Sequence, residues 1–165
     1  MTIAFLSVSP EMGGSEVCLL QLVRGIRRAE RTWPLVVVVP REGTLAQRAR
    51  QAGADVQVLP LPASLARLGE SGMRTGAAIA RSGARLVAAA TTMSSYRRSL
   101  AQLLADVEAD LVHTNGLKLH VLGARAAHPG TPLVWHVHEY VSPRPITRVL
   151  LKRHASRASA IAATS

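Results

Sequence analysis

Apolar and polar residues fall in blocks along this chain, and the period changes from block to block. Ile3, Phe5, Leu6 and Val8 make a short apolar run that suits a buried strand. A loop ending in Gly13-Gly14 follows. Leu19, Leu22, Val23 and Ile26 then recur at i, i+3, i+4 and i+7, which predicts a helix with that face inward. Leu35–Val39 (LVVVV), bounded by Pro34 and Pro40, predicts a strand buried on both faces. Gly43–Ala52 reads as a short helix with Leu45, Ala46 and Ala49 inward and Gly53 closing it. Asp55–Leu59 is a third strand, ended by Pro60 and Pro62. Residues 63–90 carry Gly69, Gly72, Gly76 and Gly83 in an Ala- and Arg-rich stretch, and fit a loop or a broken helix.

The second half repeats the alternation. Ser95–Ala109 predicts a helix with the stripe Leu100, Leu103, Leu104 and Val107. Asp110–His113 is a fourth strand, and Gly116–Ala127 a helix with Leu119, Leu122 and Gly123 facing in. Pro129-Gly130 turns the chain into a fifth strand, Leu133–His138. Pro145 opens a helix through His154, and Ala160–Ala163 is a sixth strand. Strands separated by helices pair in parallel through right-handed crossovers. The expected fold class is α/β, a Rossmann-like doubly wound parallel sheet in three α/β/α layers. Ligands of such sheets bind beyond the carboxyl ends of the strands. That singles out the loops Ser9–Gly14, Thr114–Leu117 and Glu139–Pro143.

Composition narrows the class. The 165 residues suffice for one domain with a full core, and 48% hydrophobic content excludes disorder. Aromatics at 3% argue against the stacking platforms that bind single-stranded nucleic acid. The net charge of +10 comes almost wholly from Arg, since Lys118 and Lys152 are the only lysines. Arg suits phosphate and carboxylate recognition, although a coding bias toward Arg and Ala explains part of the excess. Arg24, Arg27, Arg28 and Arg31 lie opposite the apolar stripe of the first helix and read as a solvated face. Cys18 is the lone cysteine, which fits a reducing compartment. No basic stretch precedes the first apolar run, and no apolar stretch approaches the ~20 residues of a membrane span. The expected location is cytoplasmic.

Candidate chemistry sits at the three loops. Gly13-Gly14 lets backbone N–H groups approach an anion at the positive end of a helix dipole, while a tight turn without ligand fits the same residues. The GxGxxG and GxxxxGK[ST] patterns are absent. Around the glycines stand Ser9, Glu11, Ser15 and Glu16, with Ser15 read as the helix N-cap. His136 and His138 share a strand face, and His113 stands on the neighbouring strand. With no HExxH and no cysteine spacing, metal binding is not expected. His120 and His128 read as surface or helix positions without signal. The G-x-S-x-G elbow is missing, which argues against a serine hydrolase.

The order and spacing of GGSEVCLLQLVRGI, DLVHTNG, PLVWHVHE and RASAIAATS resemble the N-terminal half of a GT-B glycosyltransferase of the retaining, GT4-like group. The resemblance spans Thr2 to Ser165. It implies one half of a GT-B architecture: residues 1–165 form a single acceptor-side domain, and the nucleotide-sugar domain with its Glu-x7-Glu motif lies outside them. Transfer of a sugar from a nucleotide-sugar donor to an acceptor, with retention, is the implied activity, absent from this chain alone. The acceptor would be lipid-linked or a small-molecule glycoside. By the same resemblance, Gly13 and Gly14 lie against the donor diphosphate and the acceptor, and His138 contacts the transferred sugar as the catalytic residue. Asn115 matches a polar position in the preceding loop, and Glu139 stands where the family often has Asp. No cofactor or metal is implied, the nucleotide sugar being a substrate.

Two other classes fit the charge. One is a basic membrane-surface module, with Arg67, Arg74, Arg81, Arg85, Arg97 and Arg98 as the docking region and a peripheral location on the inner face of the membrane. The other is a nucleotide-binding module without catalysis; nucleic acid itself is not expected as a partner.

Overall fold

The computed structural model describes residues 1–66, 83–139 and 145–163. The elements are β1 (Ile3–Ser7), α1 (Gly14–Ala29), β2 (Leu35–Val39), α2 (Thr44–Gln51), β3 (Asp55–Val58), α3 (Ala63–Ala66), α4 (Gly83–Asp106), β4 (Leu111–Asn115), α5 (Leu117–Ala126), β5 (Leu133–Val137), α6 (Pro145–His154) and β6 (Ala160–Ala163). The six strands form one parallel sheet in the order β3-β2-β1-β4-β5-β6. The Rossmann-like α/β expectation therefore holds.

Two apolar layers cover the sheet. On one face, Ile3, Phe5, Leu35, Val37 and Val39 pack against Leu19, Leu20 and Val23 of α1 and Leu45, Ala46 and Ala49 of α2. On the other, Ala4, Leu6, Val36, Val38, Val112, Leu133 and Trp135 pack with residues of α4, α5 and α6. β1 and β2 are buried along their whole lengths, as the LVVVV run predicts for β2.

Several boundaries and faces depart from the sequence pattern. The stripe of α1 is Glu16, Leu19, Leu20 and Val23, whereas Leu22 is 37% exposed. The inward face is turned by about one residue from the expected one, because its line runs toward Glu16 and Leu20. Arg27 is not merely solvated. Its guanidinium donates to Arg31 O (2.7 Å), Trp33 O (2.9 Å) and Gly53 O (2.8 Å), tying the end of α1 to the turn after α2. Ser15 lies inside α1 rather than capping it. The residue before the helix is Gly13, whose carbonyl accepts from Val17 N (3.0 Å), so the helix starts earlier than expected. α4 begins at Gly83, well before the expected Ser95, and ends at Asp106. Glu108 then takes a left-handed φ of 50°, with Ala109 N bonded to Leu104 O, a Schellman-type close.

β4 runs two residues further than expected. Thr114 and Asn115 have loop-like composition, yet both extend the strand because β1 pairs on one side and β5 on the other. Gly116 follows with φ 113°, a conformation that glycine adopts at little cost. At Gly123 of α5 a Cβ would sit 2.8 Å from Thr114 Cγ2, so the helix approaches β4 more closely than any other residue would allow.

Replacing Arg27 with Met is expected to lower stability by about 1.5–3 kcal/mol, since three carbonyls lose a charged donor. Urea unfolding of the two proteins checks it; an unchanged midpoint would show the brace to be idle.

Candidate ligand site at the carboxyl ends of the strands

The register places Ser7, Asn115 and His136 side by side at the ends of β1, β4 and β5, on the sheet face that α1 covers. One pleat back, Phe5 and His113 are partners on the same face. Glu16 comes from the first turn of α1 and is only 4% exposed. Its carboxylate accepts from the Ser7 hydroxyl (Oε1, 3.3 Å), the Ser15 hydroxyl (Oε2, 2.9 Å) and Asn115 Nδ2 (Oε1, 3.4 Å). Ser7 Oγ also accepts from Ser9 N (3.3 Å), which fastens the start of the glycine loop. Met12 N bonds Thr44 Oγ1 (3.1 Å), and Thr44 in turn donates to Glu11 (3.0 Å), holding the loop to α2.

The imidazoles line up from the core toward the strand ends. His113 lies 5.3 Å from Phe5 and 5.4 Å from His136, the latter edge-on at 80°, and His136 lies 4.0 Å from His138 between ring centroids. His113, His136 and His138 thus stand together on one sheet face, His113 on the strand beside the other two. Burial pushes the His113 pKa down to about 4, with the neighbouring His136 and His138 adding to the shift. Burial and His138 likewise lower His136. At neutral pH both rings are uncharged. Among the described residues no group of three His, Cys, Asp or Glu side chains is disposed to hold a metal ion.

Of the residues singled out from the sequence, Gly13 and Gly14 are exposed at the start of α1, and Asn115 is 1% exposed. Asn115 sits in the strand and not in the loop after it, for the pairing reason given above. His138 is half-buried just past β5, and Glu139 is exposed beside it. Gly13 and Asn115 meet through Glu16: a Cβ on Gly13 would stand 3.0 Å from Glu16 Oε2. Tyr140 and Ser142 of the third loop lie outside the described residues, as do Arg67, Arg74 and Arg81.

Two residues that the sequence pattern passes over prove central. Glu16 is one polar group among several in its loop, and its GGSE context gives no sign of burial. His120, read as a surface or helix position, is fully buried. It stacks on Trp135 at 5.1 Å and 14°, and its Nδ1 lies 2.7 Å from Thr114 Oγ1. α5 is buried on most of its circumference, so no polar face marks His120 as inward or outward. Burial lowers its pKa to about 3. His128, by contrast, is exposed and accepts from Gly130 N in the Pro129-Gly130 turn (3.3 Å).

Two surface concavities lie elsewhere. One is an open groove between β3 and α4, lined by Gln57, Arg98, Gln102 and Asp106, and another lies at the amino ends, lined by Thr2, Pro34, Asp55 and Glu108. Neither is lined by a buried titratable group. No helix among the described residues is long and apolar enough to cross a membrane.

Known proteins share this fold. The family model described as "Glycosyl transferase 4-like domain" matches residues 13–165. Among solved structures, HepE of Anabaena in complex with UDP-glucose superposes with a TM-score of 0.59 at 23% identity, over 98% of this chain and 36% of that one. MurG of Acinetobacter baumannii gives 0.62 at 13% identity, over 99% and 41%. The apo form of the lipopolysaccharide outer core galactosyltransferase WaaB gives 0.60 at 10%, over 98% and 38%. The chain thus spans about two fifths of each of these proteins. No curated protein matches it by sequence.

The depressed histidines set the acid limit. Unfolded, His113 and His120 take up protons near pH 6.5; folded, they stay neutral down to about pH 4 and 3. The unfolded chain therefore binds more protons between those values, and stability falls as pH drops below 6.5. A loss of about 5 kcal/mol between pH 7 and pH 4.5 is expected from the pair. Urea unfolding at the two pH values, with His113→Phe losing about half of the dependence, checks it.

Proposed function

The chain belongs to the glycosyl transferase 4-like domain family, and on that premise we propose that it is the N-terminal, acceptor-side domain of a GT-B enzyme. The enzyme moves a sugar from a nucleotide-sugar donor to an acceptor with retention of configuration. The observation that carries the reading is the polar row at the strand ends, in which His113, Asn115 and His136 stand on neighbouring strands and Glu16 at the start of α1 bonds Asn115. HepE, a structural neighbour, was solved with UDP-glucose, which supports a nucleotide sugar as donor.

In this reading the exposed Gly13-Gly14 turn forms the wall against the donor diphosphate and the acceptor, where free backbone N–H groups at a helix start favour negative charge. His138, just past β5, donates to a hydroxyl of the transferred sugar near the developing oxocarbenium ion. Asn115 and Glu139 complete the wall. No cofactor is needed, since the donor is itself a substrate. The nucleotide pocket belongs to a second domain, so residues 1–165 alone transfer no sugar.

The acceptor is lipid-linked or a small-molecule glycoside. A lipid-linked acceptor is favoured by α6, where Val149 and Leu150 are exposed beside Arg148, Lys152 and Arg153. Apolar side chains flanked by cations suit the interface of an anionic bilayer, and a cytoplasmic, peripheral location follows. The same feature would serve a membrane-surface module without catalysis.

In the protein of native length, His138→Ala is expected to lower kcat for sugar transfer by about 100-fold or more while leaving the unfolding midpoint near wild type. Transfer at the wild-type rate would remove His138 from the reaction, and transfer by the 165-residue chain alone would contradict its acceptor-side role.

Co-sedimentation of the chain is expected with vesicles containing anionic lipid and not with neutral ones, and Val149→Asp should abolish it. Equal, negligible binding to both would leave the small-molecule glycoside as acceptor.

A further inference from the structure

Glu16 has no task of its own in the reading above, yet it is the only Asp or Glu among the described residues that is buried. Its partners are all neutral donors, Ser7, Ser15 and Asn115. They belong to β1, α1 and β4, and Gly13 packs against the same carboxylate. A carboxylate accepts and cannot donate, so the Asn115 amide must turn its NH2 toward Glu16. The carbonyl end is thereby fixed too. Asn115 Oδ1 is buried and has no partner, and neither do His113 Nδ1 and His136 Nδ1 on the same sheet face. His136 is the register partner of Asn115, and His113 is one pleat back on its strand. Unpartnered buried polar atoms are rare, and three in neighbouring positions point to a missing partner. The two imidazoles are neutral, each with one donor and one acceptor nitrogen. An acceptor beside neutral imidazoles suits a group that both donates and accepts, which a hydroxyl does and a phosphate does not.

We propose that Glu16 is a positioning residue that locks the Asn115 amide so that its carbonyl, beside His113 and His136, accepts from a single hydroxyl group at the end of β4. The hydroxyl is that of a bound water or of a sugar ligand. The sugar rests on the function proposed above, whereas the lock does not.

Three variants separate the lock from general structure. Glu16→Gln keeps the shape but replaces one of the two acceptor oxygens with an NH2, so the Asn115 amide is no longer held to a single orientation. Asn115→Asp sets two carboxylates against each other. In the double variant E16Q/N115D the new amide on α1 donates to the new carboxylate on β4, and an acceptor oxygen again faces the histidines. In the protein of native length, E16Q is expected to lower kcat/KM for sugar transfer about tenfold while Tm moves by less than about 3 °C. N115D should lower kcat/KM further, and the double variant should recover most of the loss. Wild-type kcat/KM in E16Q, or no recovery in the double variant, overturns the proposal. A second measurement needs neither variant nor turnover. In the 165-residue chain the Asn115 side-chain NH2 is expected to exchange slowly with water, and fast exchange overturns the lock whatever the enzyme does. If the exchange is slow, a shift of that resonance on adding a neutral methyl glycoside assigns the hydroxyl to the sugar, and no shift assigns it to the bound water.

Discussion

A parallel pair of strands cannot be joined by a hairpin, so each strand here must be followed by a crossover that brings the chain back to the same end of the sheet. All six carboxyl ends consequently open on one side. β1 takes the middle of the order and pairs with both β2 and β4, which makes its end the point where the strand order reverses. The buried faces of the strands set the register, and the register is what stands Ser7, Asn115 and His136 next to one another. The candidate site is therefore a by-product of the topology before it is a set of side chains.

What the side chains add is a row of uncharged imidazoles beside one buried carboxyl group. Glu16 sits where the start of α1 carries partial positive charge, which offsets part of the cost of burying a carboxylate. Its three donors supply the rest of its solvation. The histidines beside it lose their protons because burial disfavours the charged ring and because each disfavours charge on the next. The opposite face solves the same problem differently. There Thr114 both bonds His120 and donates to Val134 O (3.2 Å), and His120 lies flat against Trp135.

The sequence pattern was enough for the strand–helix alternation, because a buried parallel strand such as LVVVV and a stripe at helical spacing are local features. It also placed His136 and His138 on one strand face, with His113 on the neighbouring strand. It failed where neighbours decide. Asn115 looks like a loop residue, and only the ladders on both sides make it part of β4. Glu16 looks like a solvated charge in a first helical turn, and only the ends of β1 and β4 bury it. The guanidinium of Arg27 finds its carbonyls in two turns that are separate in sequence. These are tertiary facts without a local signature, and two of them, at Glu16 and Asn115, lie in the candidate site.

The central claim is that ligand binds at the carboxyl ends of the sheet, against the glycine loop and the row that Glu16 organises. Backbone amide shifts of the 165-residue chain, recorded during titration with UDP-glucose, test it most directly, because weak binding still marks its place. The account predicts shifts concentrated in residues 9–16, 113–118 and 136–139. Shifts concentrated instead along the groove of Gln57, Arg98 and Asp106, or at the amino ends around Thr2 and Pro34, would contradict it.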